Sequence, residues 1–217
     1  MKKIMLFALL LTTFFCSQAQ TRLFVDPEFA NYGNDHKIIA VIPFKTSISL
    51  RPRKMKTLHE GELEKMQKDE SLNIQESMYS WFLKRKQSGN MWVDVQDVST
   101  TNALLAKKGI KYENINEFTP SEIAKILNVD AVIKGSFETN KPMSDGASVA
   151  LAVLVGFYGA TNKATINMFI HNAEDGKVLV NYNKGVSGAI GSSTDQLINI
   201  VMRKASRRIP YTKPRKS

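Results

Sequence analysis

Thr119-Pro120-Ser121-Glu122-Ile123-Ala124-Lys125-Ile126-Leu127 and the following Asp130-Ala131-Val132-Ile133-Lys134-Gly135-Ser136-Phe137 change period where they meet. The first part opens as a helix. Thr119 is placed to cap it, Pro120 suits the first helical position because its missing N–H is not needed there, and Glu122 completes a capping box. Ile123, Ile126 and Leu127 then form one apolar face. The second part is a strand, rich in β-branched residues and short enough for a sheet. A helix running directly into a strand is the unit of an α/β fold, and the rest of the chain is read outward from it.

Toward the N-terminus, Ile38-Ile39-Ala40-Val41-Ile42-Pro43-Phe44 is apolar on both faces, as a strand covered on both sides is. Pro43 closes it, since proline cannot donate to a ladder. Residues 45–57 are basic and read as irregular. From Leu58 to Lys86 the pattern is helical, with Ile74, Met78, Trp81 and Phe82 on one stripe and Leu72, Tyr79 and Leu83 on a second. Lys84, Arg85 and Lys86 suit the negative end of that helix, and Gly89 stops it. Met91–Val95 alternates as a short strand, and Asn102–Lys107 reads as a brief helix ended by Gly109.

Toward the C-terminus, Ala164–His171 and Lys177–Asn183 form a hairpin around Glu174-Asp175-Gly176. Ile166, Met168 and Ile170 alternate with Thr165, Asn167, Phe169 and His171, giving one buried and one wetter face. Thr194–Arg208 closes the chain as a helix with Leu197, Ile198, Val201 and Met202 inward. The expected fold is α/β (α+β): a single domain over residues 37–209, with a mixed sheet of about five strands flanked by helices. Residues 20–36 read as an N-terminal arm and 210–217 as a basic tail.

The first residues set the compartment. Lys2 and Lys3, a mostly apolar run from Ile4 to Phe15, and Ser17-Gln18-Ala19 have the layout of a secretory leader cleaved between Ala19 and Gln20. Twelve residues are too few to span a bilayer, which takes about 20. Cys16, the single cysteine, leaves with this leader; the alternative is lipidation at Cys16, which Phe14 and Phe15 disfavour because that pattern wants small residues. Without Cys16 the exported chain has no disulfide or thiolate chemistry. An export signal places the protein in the periplasm or at the outer membrane.

The net charge is +10 with 30 Lys and Arg against 20 Asp and Glu, and much of it is local. Arg203, Lys204, Arg207, Arg208, Lys213, Arg215 and Lys216 follow one another with no acid between them. Arg51, Arg53, Lys54 and Lys56 form a second cluster. Export argues against nucleic acid. It leaves an anionic membrane surface, an acidic glycan or an acidic partner, with a solvated terminus as the plain alternative.

The order of elements resembles the superfamily that holds the curli-secretion lipoprotein (CsgG) and the outer-membrane activator of penicillin-binding proteins (LpoB). The residues that carry the resemblance are Ile38–Phe44, the helix–strand unit Ile123–Phe137, and the hairpin with Asp175-Gly176. It implies a bacterial envelope protein without an enzymatic activity, and one reading within it is an activator of a peptidoglycan synthase. Two departures stand out: no small-residue pattern precedes Cys16, and no pair of long alternating segments is present that would build a curli-type pore.

Met143–Gly159 holds no charge from Ala147 to Tyr158. Val149, Leu151, Val153, Leu154, Phe157 and Tyr158 are its candidate interaction residues, toward an envelope protein partner, a second copy or a membrane; the alternative is the subunit's own core. Gly185–Thr194 is glycine-rich but has neither P-loop nor dinucleotide spacing, and Ser192 or Ser193 is placed to cap the last helix. His36, His59 and His171 have no zinc spacing. Glu117 and Glu122, or Asp130 and Asp175, show no defensible catalytic pairing, and no G-x-S-x-G elbow is present. No catalytic residue, metal or cofactor is expected. A hydrolase of an anionic substrate, using Ser187, Ser192 and Ser193, rests only on charge and the glycine loop.

Overall fold

The helix–strand unit at Thr119 fixes the centre of the sheet. In a computed structural model, which describes residues 21–50, 55–140, 163–187 and 193–212, the Glu122 N–H donates to Thr119 Oγ1 at 3.2 Å and the Thr119 N–H to Glu122 Oε2 at 2.8 Å. The helix, Pro120–Leu127, stops at Asn128, whose φ of 53° is left-handed. Asp130 follows, and its carboxylate accepts the N–H groups of Lys37 and Ile38 at 2.7 and 2.9 Å. That clamp ties the start of one strand to the start of its neighbour and so sets their register.

In chain order the elements are β1 (Thr21–Val25), α1 (Phe29–Gly33), β2 (Ile38–Val41), β3 (Lys45–Ser49), α2 (Glu62–Gln87), β4 (Asp94–Val95) and α3 (Val98–Lys107). Then come α4 (Pro120–Leu127), β5 (Ala131–Asn140), β6 (Lys163–Asn172), β7 (Val178–Ser187) and α5 (Thr194–Ala205), with 3-10 turns at Ile115–Glu117 and Pro210–Thr212. The sheet runs β1-β7-β6-β5-β2-β4, with β3 also on β5. It is mixed: β5 is parallel to β2, and β5, β6, β7 and β1 are antiparallel in turn.

Among the described residues the sheet has seven strands rather than about five, for two reasons. Residues 45–49, expected to be irregular, form β3: beyond Pro43 the chain stays beside β5, pairing Lys45 with Ser136 through Ser49 with Asn140. Lys-Thr-Ser-Ile-Ser is too polar and short to show this as a pattern. The stretch read as an arm supplies β1 and α1. β1 is an edge strand exposed on both faces, so it has no alternation to read.

Side chains alternate across the sheet and build two cores. On one face Ile39, Val41, Ile133, Phe137, Ile166, Met168, Ile170 and Tyr182 pack against Ile74, Met78 and Phe82 of α2 and Leu197, Ile198, Val201 and Met202 of α5. On the other, Ala40, Ile42 and Val132 meet Leu105 of α3 and Ile123, Ala124 and Leu127 of α4. Each large apolar side chain so buried stabilises by about 1.5–3 kcal/mol. Gly135 has a packing reason: a Cβ there would lie 2.4 Å from the Asn167 carbonyl oxygen and 2.5 Å from the Phe44 ring.

Several boundaries shift for local reasons. α2 begins at Glu62, after Gly61 at φ 78°, and Leu83 is 46% exposed rather than part of a second buried stripe. Leu83 lies outside the arc that the sheet and α5 cover. The Met91–Val95 strand contracts to two residues. α3 starts at Val98 because Asp97 accepts the Thr100 N–H at 3.0 Å. α5 ends at Ala205 instead of Arg208, and Ser193 caps it in a box with Gln196.

Candidate functional site

Of the residues singled out by sequence, Ala19, Gln20, Cys16, Val149, Leu151, Val153, Leu154, Phe157, Tyr158, Ser192, Lys213, Arg215 and Lys216 lie outside the described residues. Arg203, Lys204, Arg207 and Arg208 are described and exposed. They do not stand alone. α5 packs against α2, with Asn73 Nδ2 donating to Asp195 at 2.8 Å and Trp81 Nε1 donating to Asn199 at 2.8 Å. A groove of about 430 Å³ lies between these helices. Lys84 Nζ sits 5.0 Å over the Trp81 ring, and the Arg85 guanidinium 5.8 Å from its centroid.

The packing therefore brings the last turn of α2 to the basic end of α5. Partial burial, and then the like charges of Arg207 and Arg203, push the Arg85 guanidinium below its usual range. Burial and the charges of Lys204 and Arg208 do the same to Lys184 on β7, whose ammonium donates to Thr21 Oγ1. The ion pairs among the described residues are Lys68–Glu113, Lys86–Asp94, and Lys177 with both Asp26 and Glu28. None of them uses Lys84, Arg85, Arg203, Lys204, Arg207 or Arg208. These six cations make a face of one sign at the negative ends of two helices. Sequence reading found the α5 half; α2's share needed the helix pairing.

The opposite side of the sheet presents different chemistry. Among the described elements, α3 and α4 cover its β2 part and the start of β5, leaving half-buried side chains on β5, β6 and β7. Across the strands Lys134 pairs with Phe169, Phe169 with Asn181, and Asn181 with Phe24, which is 48% exposed. Asn181 Nδ2 donates to Asn167 Oδ1 at 2.8 Å. A cavity of about 400 Å³ opens beside this row, between Lys134, Phe169, His171, Val178 and Pro120. Burial, and then the Lys134 charge, lower the His171 imidazole, whose Nδ1–H donates to the Gly176 carbonyl at 3.1 Å. Burial alone lowers the Lys134 ammonium.

His36, read as one of three scattered histidines, is the centre of a buried polar chain. Tyr211 O–H donates to His36 Nδ1 at 2.6 Å, His36 Nε2–H donates to Asn172 Oδ1 at 3.1 Å, and Asn172 Nδ2 donates to Asp175 at 2.8 Å. Burial lowers the His36 imidazole, outweighing Asn172 and the Asp130 and Asp35 charges. Burial also pushes the Tyr211 phenol upward. Each donor in this chain meets an acceptor, so the cluster is a structural knot between α1, the hairpin and the C-terminus.

Of the carboxylates singled out by sequence, Glu117 is exposed and the other three are committed to backbone. Asp130 holds Lys37 and Ile38, Glu122 caps α4, and Asp175 accepts the Lys177 N–H at 2.9 Å. Those bonds hold Glu122 and Asp175 below the usual carboxylate range. Among the described residues no group of three His, Cys, Asp or Glu is placed to hold a metal, and no helix is long and apolar enough to cross a membrane.

No family model and no curated protein matches the sequence. Among solved structures, the chain is similar to the PelC dodecamer from Paraburkholderia phytofirmans, with a TM-score of 0.46 and 11% identity over 85% of this chain and 94% of that one. It is similar to lipoprotein GNA1162 from Neisseria meningitidis, with a TM-score of 0.43 and 12% identity over 79% of this chain and 94% of that one. The C-terminal domain of LpoB from Salmonella enterica gives a TM-score of 0.35 and 11% identity over 70% of this chain and 84% of that one.

Proposed function

We propose that this chain is an exported, non-enzymatic protein of the bacterial envelope that works by binding, with its cationic helical face docking on an anionic lipid surface. The observation that carries the reading is the set Lys84, Arg85, Arg203, Lys204, Arg207 and Arg208, brought together by two helices and without an ion pair among the described residues. Each basic residue near an anionic membrane contributes about 1 kcal/mol, screened by salt. Contact with an envelope protein or a second copy through Val149–Tyr158 is the companion expectation. Activation of a peptidoglycan synthase stands on the sequence resemblance alone.

The test is sedimentation of the exported chain with vesicles of phosphatidylcholine, with and without phosphatidylglycerol. The anionic vesicles are expected to carry the protein down at low salt and release it at high salt. Replacing Arg203, Lys204 and Arg207 by Gln removes three charges from exposed positions and is expected to weaken binding roughly 100-fold. Equal binding to both vesicle types, or an unchanged affinity in the triple variant, overturns the reading.

A further inference from the structure

Lys134 is a partly buried cation on the side of the sheet that α3 and α4 cover in part. It is half-buried, and it has neither a hydrogen bond nor an ion pair among the described residues. An ammonium drawn out of water without a partner is costly, and an incoming anion relieves that cost. Its surroundings are chiefly apolar: Phe169 lies directly opposite on β6, and Pro120 and Val178 wall the cavity. Lys45, exposed on β3 next to Ser136, places a second cation at the rim. The Phe169 and His171 rings are 6.0 Å apart, so an aromatic surface continues from the ammonium to the imidazole.

We propose that this cavity of about 400 Å³ binds a small amphiphilic carboxylate, its head on Lys134 and its apolar body on Phe169, Pro120 and Val178. The class follows from the two halves of the lining. A neutral amphiphile leaves Lys134 unpaired, and an anion with no apolar body leaves the walls wet. The volume suits a small molecule, as pockets of this kind run from about 300 to 1,000 Å³. The site is independent of the cationic helices, because side-chain alternation puts Lys134 on the α4 side of the sheet and α2 and α5 on the other.

Decanoate tests this, with decanol as its uncharged counterpart, by calorimetric titration of the exported chain. Decanoate is expected to bind saturably and about tenfold or more tighter than decanol, as a charged hydrogen bond provides. Lys134→Met keeps the apolar stem and is expected to bring decanoate down to the level of decanol, leaving decanol unchanged. Phe169→Ser is expected to weaken both probes together. In the unmutated protein, decanoate is expected to shift the His171 ring signals in NMR spectra. Absence of saturable decanoate binding, equal affinities for the two probes, full affinity in Lys134→Met, or a motionless His171 signal overturns the proposal. Vesicle binding is expected to be the same in Lys134→Met as in the unmutated chain, so failure here and failure of the lipid reading are separate results.

Discussion

Shortening the chain to Arg208 is expected to unfold it, although residues 210–217 have the composition of a dispensable basic tail. Ile209 and Tyr211 are wholly buried. Tyr211 packs edge-on against Phe29, with centroids 5.3 Å apart, and against Trp92 at 5.8 Å. Its hydroxyl also holds His36 Nδ1 at 2.6 Å. Loss of a large aromatic from a core costs about 3–5 kcal/mol and loss of a buried isoleucine about 2–5. An orphaned buried acceptor adds about 1–3. Together these rival the entire folding free energy of a domain, about 5–15 kcal/mol. The assay is urea unfolding followed by the fluorescence of the two tryptophans, one of which, Trp92, touches Tyr211. A chain ending at Thr212 is expected to keep a cooperative transition, and one ending at Arg208 to lose it. Tyr211→Phe keeps both ring contacts and removes only the hydroxyl, so it is expected to lose about 1–3 kcal/mol at an unchanged m-value. A chain ending at Arg208 that unfolds with the full-length midpoint refutes the argument.

Stability is expected to fall as pH drops below about 6.5, the unperturbed histidine value: burial lowers His36 and His171, so the unfolded chain takes up protons there that the folded chain refuses. Urea midpoints between pH 7.5 and 5 check this, and a flat profile counts against it; Glu122 and Asp175, held low by hydrogen bonds, extend the loss as pH falls through the ordinary carboxylate range and below it. Gly135→Ala is expected to cost about 1–3 kcal/mol or more through overpacking, because its methyl meets backbone at Asn167 and a fully buried ring at Phe44; an unchanged thermal midpoint rejects that account.

Periodicity revealed those elements whose burial is one-sided or complete. β6 alternates strictly because one face meets α5 and the other stays half-open, so its residues 164–171 were legible directly. The Thr119 box was legible because its bonds are local. What stayed hidden has its cause in distant partners. β1 is exposed on both faces and is held by β7 across roughly 160 residues, so its own side chains carry no sign of the pairing. His36 meets Tyr211 only through the closed fold, and neither has a sequence neighbour that marks the contact. The candidate sites divide in the same way. Arg203, Lys204, Arg207 and Arg208 stand out as a run, whereas Lys84 and Arg85 read as an ordinary helix end until α2 lies on α5. Lys134 looked like one residue of a strand, and only cross-strand register puts Phe169 opposite it.

The two proposed surfaces share one structural origin. A mixed sheet of seven strands needs cover on both sides, and the described helices supply it unevenly. α2, at 26 residues, and α5 together shield one face across β2, β5, β6 and β7. α3 and α4, at 10 and 8 residues, cover mainly the β2 and β5 part of the other. The long helices bring their C-terminal ends together, and the residues that favour those ends are cations, so charge accumulates on that side. The short helices leave β6 and β7 uncovered where Lys134, Phe169 and His171 lie, so a cavity forms at the margin of α4. Extending α4 over β6 would close the cavity without touching the cations, and shortening α5 would thin the cations without opening the cavity. The length of each helix therefore sets one surface and not the other.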